Sequence, residues 1–254
     1  MTVHPATFGK SEPGIEDAPH LWPGGAYLGS ASTWPHTQGG AAQYVIFKSS
    51  MIRTLPASLP LRTAALAEPL AVALHAITIA GGVKGKKVFV SGSGPIGLLV
   101  VAASKILGAT EIAASDLLPG PLSRATQLGA TQTITIGTDQ LPENHFDVVF
   151  ECSGVARAIS GALGAVRRRG TIVQVGMLGA GGHEIAIAPL VSKEIELKGT
   201  FRFKDEIDQA ITLLDQSPWI ASSITHEFTI DQAVEAFEMA KNSEQSGKVL
   251  VSLN

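Results

Sequence analysis

A single cysteine, Cys152, stands among 254 residues. No internal disulfide can form, and such sparing use of thiols points to a reducing cytoplasm. Positive charge is not in excess either: 19 Lys and Arg face 22 Asp and Glu, for a net charge of −3. That balance excludes the basic footprint of a nucleic-acid binder. No apolar run is long enough to cross a bilayer, and no signal-peptide pattern follows Met1. A membrane partner is therefore not expected, and a cytoplasmic location is. Charged residues make up only 16% of the chain and hydrophobic ones 45%. This composition argues against disorder and supplies a sizeable core. The one cationic cluster, Arg167-Arg168-Arg169, is expected to end a helix, where cations complement the dipole.

Residues 1–40 are rich in Gly, Pro, Ser and Thr and read as loop. "AAQYVIFKSSMIRTLP" (41–56) predicts one or two strands. "TAALAEPLAVALHAITIAGG" predicts a helix stopped by Gly81-Gly82. Strands and helices then alternate. Strands are predicted at 86–92, 110–116, 131–136, 146–154, 171–177 and 194–201. Helices are predicted at 95–109, 121–130, 158–170 and 204–217. This alternation implies an α/β fold, a doubly wound parallel sheet of the Rossmann type covered on both faces. The tail reads strand, helix, strand, with Thr229 or Asp231 capping the helix. Cys152, at the end of the fourth strand, is expected to be buried.

"VSGSGPIGLL" holds a full G-x-G-x-x-G, Gly92-Ser93-Gly94-Pro95-Ile96-Gly97. It follows a predicted strand and opens a predicted helix, and Asp116 lies 19 residues beyond Gly97. Each part has a physical task. Gly92 permits a tight turn, Gly94 lets backbone approach a pyrophosphate, and Gly97 allows helix and strand to pack closely. The helix N-terminus offers free N–H groups to phosphates, and Pro95 fits there because its missing N–H costs no bond. Asp116 would accept hydrogen bonds from the ribose hydroxyls and repel a 2′-phosphate. NAD is thus expected over NADP. The alternative is a glycine turn in an α/β domain without a cofactor.

Glu68 opens an otherwise apolar helix, "AEPLAVALHA". An acid beside Pro69 suits the positive end of the helix dipole. It could equally face a metal or a substrate.

Together, "AEPLAVALHA", "VFVSGSGPIGLL", "FDVVFECSG", "VQVGM" and "KEIELKGTFRF" resemble the zinc-type medium-chain dehydrogenases. The match is best in the polyol and sugar-acid branch, the sorbitol and L-idonate dehydrogenase type, which "YLGSASTWPHTQGGAAQYV" (27–45) also resembles. The resemblance implies a partial GroES-like catalytic β domain over 1–62, a dinucleotide-binding domain over 63–217, and a return to the catalytic domain over 218–254. It implies reversible oxidation of a secondary alcohol of a polyol or sugar acid, with hydride passing to NAD and zinc polarising the oxygen. Glu68 matches the acid beside the catalytic zinc. Gly92, Gly94, Pro95, Ile96, Gly97 and Asp116 match cofactor positions, as do Val175, Gly176, Met177, Thr200 and Phe201. Arg202 matches a residue near cofactor and substrate, suited to a hydroxyl or carboxylate. Relatives form homo-oligomers through an edge strand of the cofactor sheet.

The chain also departs from that family. It opens beyond the first zinc cysteine and the G-H-E segment, so Glu68 alone remains of the catalytic metal set. His36, in a loop, is expected to be solvated rather than a ligand, and His75 to be a satisfied helix residue. Phe8, Ser11, Gly14 and Trp22 stand where four structural-zinc cysteines are expected, so no structural zinc is predicted. Gly120 and Pro121 stand where relatives carry Arg or Lys, which agrees with NAD. A truncated, metal-free NAD-binding protein without turnover is the alternative reading, and a zinc-independent quinone reductase a third. For this polypeptide by itself, cofactor binding with little or no alcohol oxidation is expected.

Overall fold

Short apolar runs, Val88–Val90 and Val148–Phe150, form the interiors of the two central strands. The computed structural model describes residues 1–32 and 34–253; Thr33 and Asn254 lie outside the described residues. The first sixty residues, interrupted by Gly and Pro, yield four two-residue strands: β1 (Thr2–Val3), β2 (Ala6–Thr7), β3 (Ala26–Tyr27) and β4 (Ile52–Arg53). β1 pairs antiparallel with β4, and β2 with β3. The strands expected over 41–56 shrink to β4. Tyr44 is 93% exposed and Ile46 100%. Without a neighbouring strand to bond its amides, the β propensity of this stretch has nothing to act on.

Next come α1 (Leu61–Ala64) and α2 (Ala67–Ile79). α2 is apolar on nearly every side because α3 (Pro95–Ile106) and α7 (Glu206–Gln216) both pack on it. Gly81 and Gly82, both at positive φ, end it. The alternating region contains β5 (Lys87–Ser91), β6 (Glu111–Asp116), α4 (Pro119–Gln127), β7 (Gln132–Thr135), β8 (Phe146–Glu151), α5 (Ala156–Ala165), β9 (Val166–Gln174), α6 (Ala188–Ser192) and β10 (Glu196–Gly199). The strands form one parallel sheet in the order β10-β9-β8-β5-β6-β7. The order reverses between β5 and β8, and ligands of such sheets bind outside the strand ends at that point.

Alternation along each strand divides the core. Val88, Val90, Val148 and Phe150 face the layer of α2, α3 and α7, whereas Phe89, Phe146 and Val149 face α5 with Ile159 and Leu163. The tail adds β11 (Ile224–Thr229), α8 (Ala233–Lys241) and β12 (Lys248–Ser252), with β11 and β12 parallel. Thr229 and Gln232 form a capping box on the 3-10 turn Ile230–Gln232 that leads into α8, so Thr229 caps that turn, and the N-cap of α8 itself is Gln232, without a side-chain cap bond. Among the described residues, the β elements outside the main sheet form three separate two-stranded ladders. Among the described residues, no helix is long and apolar enough to cross a membrane.

The arginine triplet does not end a helix. α5 stops at Ala165, and Arg167, Arg168 and Arg169 lie inside β9. Val166 pairs with Phe146 on β8, and Arg167 Nε donates to Asp147 at 2.6 Å. This pairing, twenty residues away, overrides the local helical pattern. α4 begins at Pro119, two residues earlier than expected. Cys152 lies just past β8; the residue as a whole is half-buried, but its thiol is buried, which pushes the thiol pKa well up.

Candidate cofactor and substrate site

The glycine bend joins β5 to α3, as its spacing predicts. Gly92 has φ +94°, a conformation that L side chains avoid, and its amide donates to Ser115 at 3.0 Å. A Cβ on Gly97 would overlap the Gly92 carbonyl oxygen and come 3.4 Å from Val90. At Gly94, by contrast, a Cβ would meet nothing within 4 Å. The bend is therefore tight against protein on one side and open on the other. Pro95 is the first residue of α3, and Leu98 N is the first amide bonded back to Gly94. Helix geometry leaves the amides of Ile96 and Gly97 without intrahelical acceptors.

Asp116 closes β6 beside this bend. Its Oδ2 accepts Ser93 N at 3.0 Å, and its Oδ1 accepts Leu117 N at 2.8 Å and Leu118 N at 3.2 Å. A carboxylate offers about four lone-pair sites. Three are occupied, which leaves one site for a hydroxyl.

A row of loops continues along the strand ends. Val175 N and Gly176 N both donate to the Glu151 carbonyl at 2.8 Å, and Thr200 N donates to the Gln174 carbonyl at 3.2 Å. Beneath them lies the Glu151 side chain, whose residue is wholly buried. It accepts Ser153 N at 2.9 Å, Gly154 N at 3.0 Å, Gln174 Nε2 at 2.5 Å and the Ser153 hydroxyl. A buried carboxylate needs this full set of donors. Val175, Gly176 and Thr200 thus share one edge with the glycine bend, while Met177 (81% exposed) and Phe201 stand outward. Buried Thr200 Oγ1 and Gln174 Oε1 have no protein partner there.

Glu68 and Arg202 come together through a residue the sequence did not single out, Tyr27. The Tyr27 hydroxyl donates to Glu68 Oε1 at 2.6 Å. The Arg202 guanidinium lies 4.3 Å from the Tyr27 ring centre and 4.6 Å from that of Phe201. It also donates to the Ser30 and Ser32 hydroxyls at 3.1 and 3.3 Å. Arg202 adopts φ +53°, rare for a side-chain-bearing residue and costly without compensating contacts. Burial, reinforced by the Glu68 carboxylate, raises Tyr27 well above the ordinary phenol range. A cavity of about 200 Å³ borders this corner, lined in part by His20, Trp22, Ser32, Phe201 and Arg202. Tyr27 and the two serines lie in "YLGSAS", a stretch with no periodicity to mark them.

The residues here do not fit a zinc ion. Among the described residues, no group of three or more His, Cys, Asp or Glu is placed to hold a metal. Glu68 faces a phenol, and His36 packs edge-on against Trp34 at 5.1 Å. In the lobe around Phe8 and Trp22, Trp22 Nε1 donates to the Ile15 carbonyl at 2.8 Å. His75, in α2, is expected to be satisfied but is only half so: Nδ1 donates to Glu206 at 2.7 Å and His20 stands edge-on at 4.7 Å, while the buried Nε2 has no partner among the described residues.

The family model for zinc-binding dehydrogenases matches residues 95–216. L-idonate 5-dehydrogenase (NAD(P)(+)) of Escherichia coli K12 is 37% identical over 235 residues, which are 88% of this chain and 66% of that protein. Its crystal structure superposes with a TM-score of 0.92 at 36% identity, over 98% of this chain and 74% of that one. Sorbitol dehydrogenase of Gallus gallus is 35% identical over 83% of this chain and 62% of its own length. A zinc-binding dehydrogenase of Sinorhizobium meliloti solved with NADP superposes with a TM-score of 0.86 at 26% identity, over 99% of this chain and 76% of that one. The chain thus spans slightly less than two thirds of these curated relatives, 66% and 62%.

Proposed function

The chain belongs to the zinc-binding dehydrogenases, and we propose that it is an NAD-dependent oxidoreductase for a secondary alcohol of a polyol or sugar acid. The observation that carries this reading is the bend at Gly92–Gly97, closed toward protein and open at Gly94, with Asp116 at its rim. The Ile96 and Gly97 amides would meet the diphosphate, and the free lone pair of Asp116 a ribose hydroxyl. Asp116, an anion, favours NAD over NADP. Val175, Gly176 and Thr200 would flank the nicotinamide. When bound, NAD supplies the ring carbon that exchanges hydride with a carbinol carbon.

The chain's own groups address the substrate. Arg202 can trade its serine partners for a carboxylate or hydroxyl, which suits a sugar acid. Tyr27 keeps its proton on Oη, directed at Glu68, so this pair offers a substrate hydroxyl the remaining Glu68 lone pairs as acceptors rather than a phenolate. β10 is an edge strand of the sheet and its Leu197 is 41% exposed, which supports pairing of two copies along that strand.

The test is fluorescence titration of the purified protein with NADH, followed by NAD reduction with L-idonate and with sorbitol. NADH binding with reduction of NAD by either alcohol supports the proposal in full. Binding without reduction leaves only the cofactor half standing. No response to NADH removes both.

A further inference from the structure

Asp116 is not the only acid at the adenosine end of the site. The turn between α8 and β12 reaches across to the start of α4. There Gly120 N donates to Glu244 Oε2 at 3.1 Å, a contact between positions 124 residues apart. A Cβ on Gly120 would overlap the Glu244 carbonyl oxygen. The tail therefore requires glycine at the start of α4, and a carboxylate occupies the neighbouring space.

The same turn engages the nearest alternative cation. Between Asp116 and the end of α4 the only basic residue is Arg124. Its guanidinium is within electrostatic reach of both Asp116 and Glu244. Yet its terminal nitrogens donate to the carbonyls of Glu244 at 3.0 Å and Ser243 at 2.6 Å. A dinucleotide site of this type accepts a 2′-phosphate through a nearby arginine, and the first amides of the following helix attract phosphate as well. Here the arginine is bonded to the tail and the Gly120 amide to an acid.

We propose that Glu244 is a cofactor-selecting residue: with Arg124 drawn onto the 242–247 turn, its carboxylate bars the 2′-phosphate of NADP and leaves NAD as the ligand. This inference rests on the NAD-binding reading above. Glu244 does not touch the ribose of NAD; it acts by charge on the phosphate that NADP adds.

The test is titration of the full chain with NADH and with NADPH, for the unaltered protein, Glu244→Gln and Glu244→Lys. Glutamine can still accept the Gly120 amide, so the turn is kept while the charge is lost. The NADPH-to-NADH affinity ratio is expected to rise roughly fivefold in Glu244→Gln, the worth of one nearby unit charge in water, and further in Glu244→Lys. Added salt should shrink the difference. A purely structural role would lower the melting temperature and leave the ratio unmoved; an unchanged ratio in both variants overturns the inference, as does equal binding of the two nucleotides by the unaltered protein. Failure of the unaltered protein to bind NADH at all overturns the underlying reading, and this inference with it.

Discussion

The Tyr27 hydroxyl meets the Glu68 carboxylate at 2.6 Å and so ties β3 to the first turn of α2. Forty-one positions separate the two residues. The bond turns a helix-opening acid into one wall of a corner, with Arg202 stacked on the tyrosine ring as another.

Tyr27→Phe should destabilise the protein by about 1–3 kcal/mol, the cost of leaving a partly buried acceptor without its donor. Urea denaturation at neutral pH measures it. The pH dependence follows from the raised phenol. Its proton is held more tightly in the fold than in the unfolded chain, whose tyrosine has the ordinary value of 10. The contribution is therefore whole below pH 10 and lost as pH rises through the folded value. Melting curves above pH 10 should fall less steeply for Tyr27→Phe than for the unaltered protein.

Gly94 and Gly97 should respond in opposite ways. Gly94→Ala points its methyl group into open space, so stability should move by no more than about 0.5 kcal/mol. NADH affinity should nonetheless fall at least about tenfold, the equivalent of about 1.4 kcal/mol, because the methyl stands where the diphosphate must come. Gly97→Ala collides with the Gly92 carbonyl and should destabilise by at least about 1–3 kcal/mol. A pair of thermal melts and NADH titrations separates the two effects. Equal losses of stability in both variants would contradict the open-and-closed geometry of the bend.

Glu206 should set part of the acid limit of stability. Burial pushes its carboxyl up, but hydrogen bonds from His75 and the Lys204 amide outweigh that and hold it down at about 2, against an ordinary 4.5. A depressed acid stabilises the fold above its unfolded value. That contribution is lost as pH falls from 4.5 toward 2. Glu206→Gln should be less stable at neutral pH and should show a shallower loss across that window, measured by denaturant midpoints.

The segment from β5 to Asp116 was legible because it is local. Strand, bend, helix, strand and acid follow one another within about thirty residues, and short-range periodicity encodes each of them. The contacts that define the rest are distant in sequence. Arg167–Arg169 carry a helical neighbourhood, yet Val166 belongs to Phe146, and no local pattern announces that pairing. Tyr27 finds Glu68, and Glu244 finds Gly120, only after the chain has folded back on itself. Tyr44 and Ile46 show the converse: a stretch with sound strand propensity remains unpaired because no neighbour lies alongside it. The family resemblance gave Glu68 and Arg202 a common site, but not the phenol that joins them.

Asp116 carries one last consequence. Three amides, one from the bend at Ser93 and two from Leu117 and Leu118, which follow Asp116, fix its orientation and most of its acceptor capacity before any nucleotide arrives. Docking then freezes few protein torsions at the rim, so little of the association free energy is lost to ordering the receptor. On the proposed NAD reading, adenosine alone should already recognise this prearranged ledge.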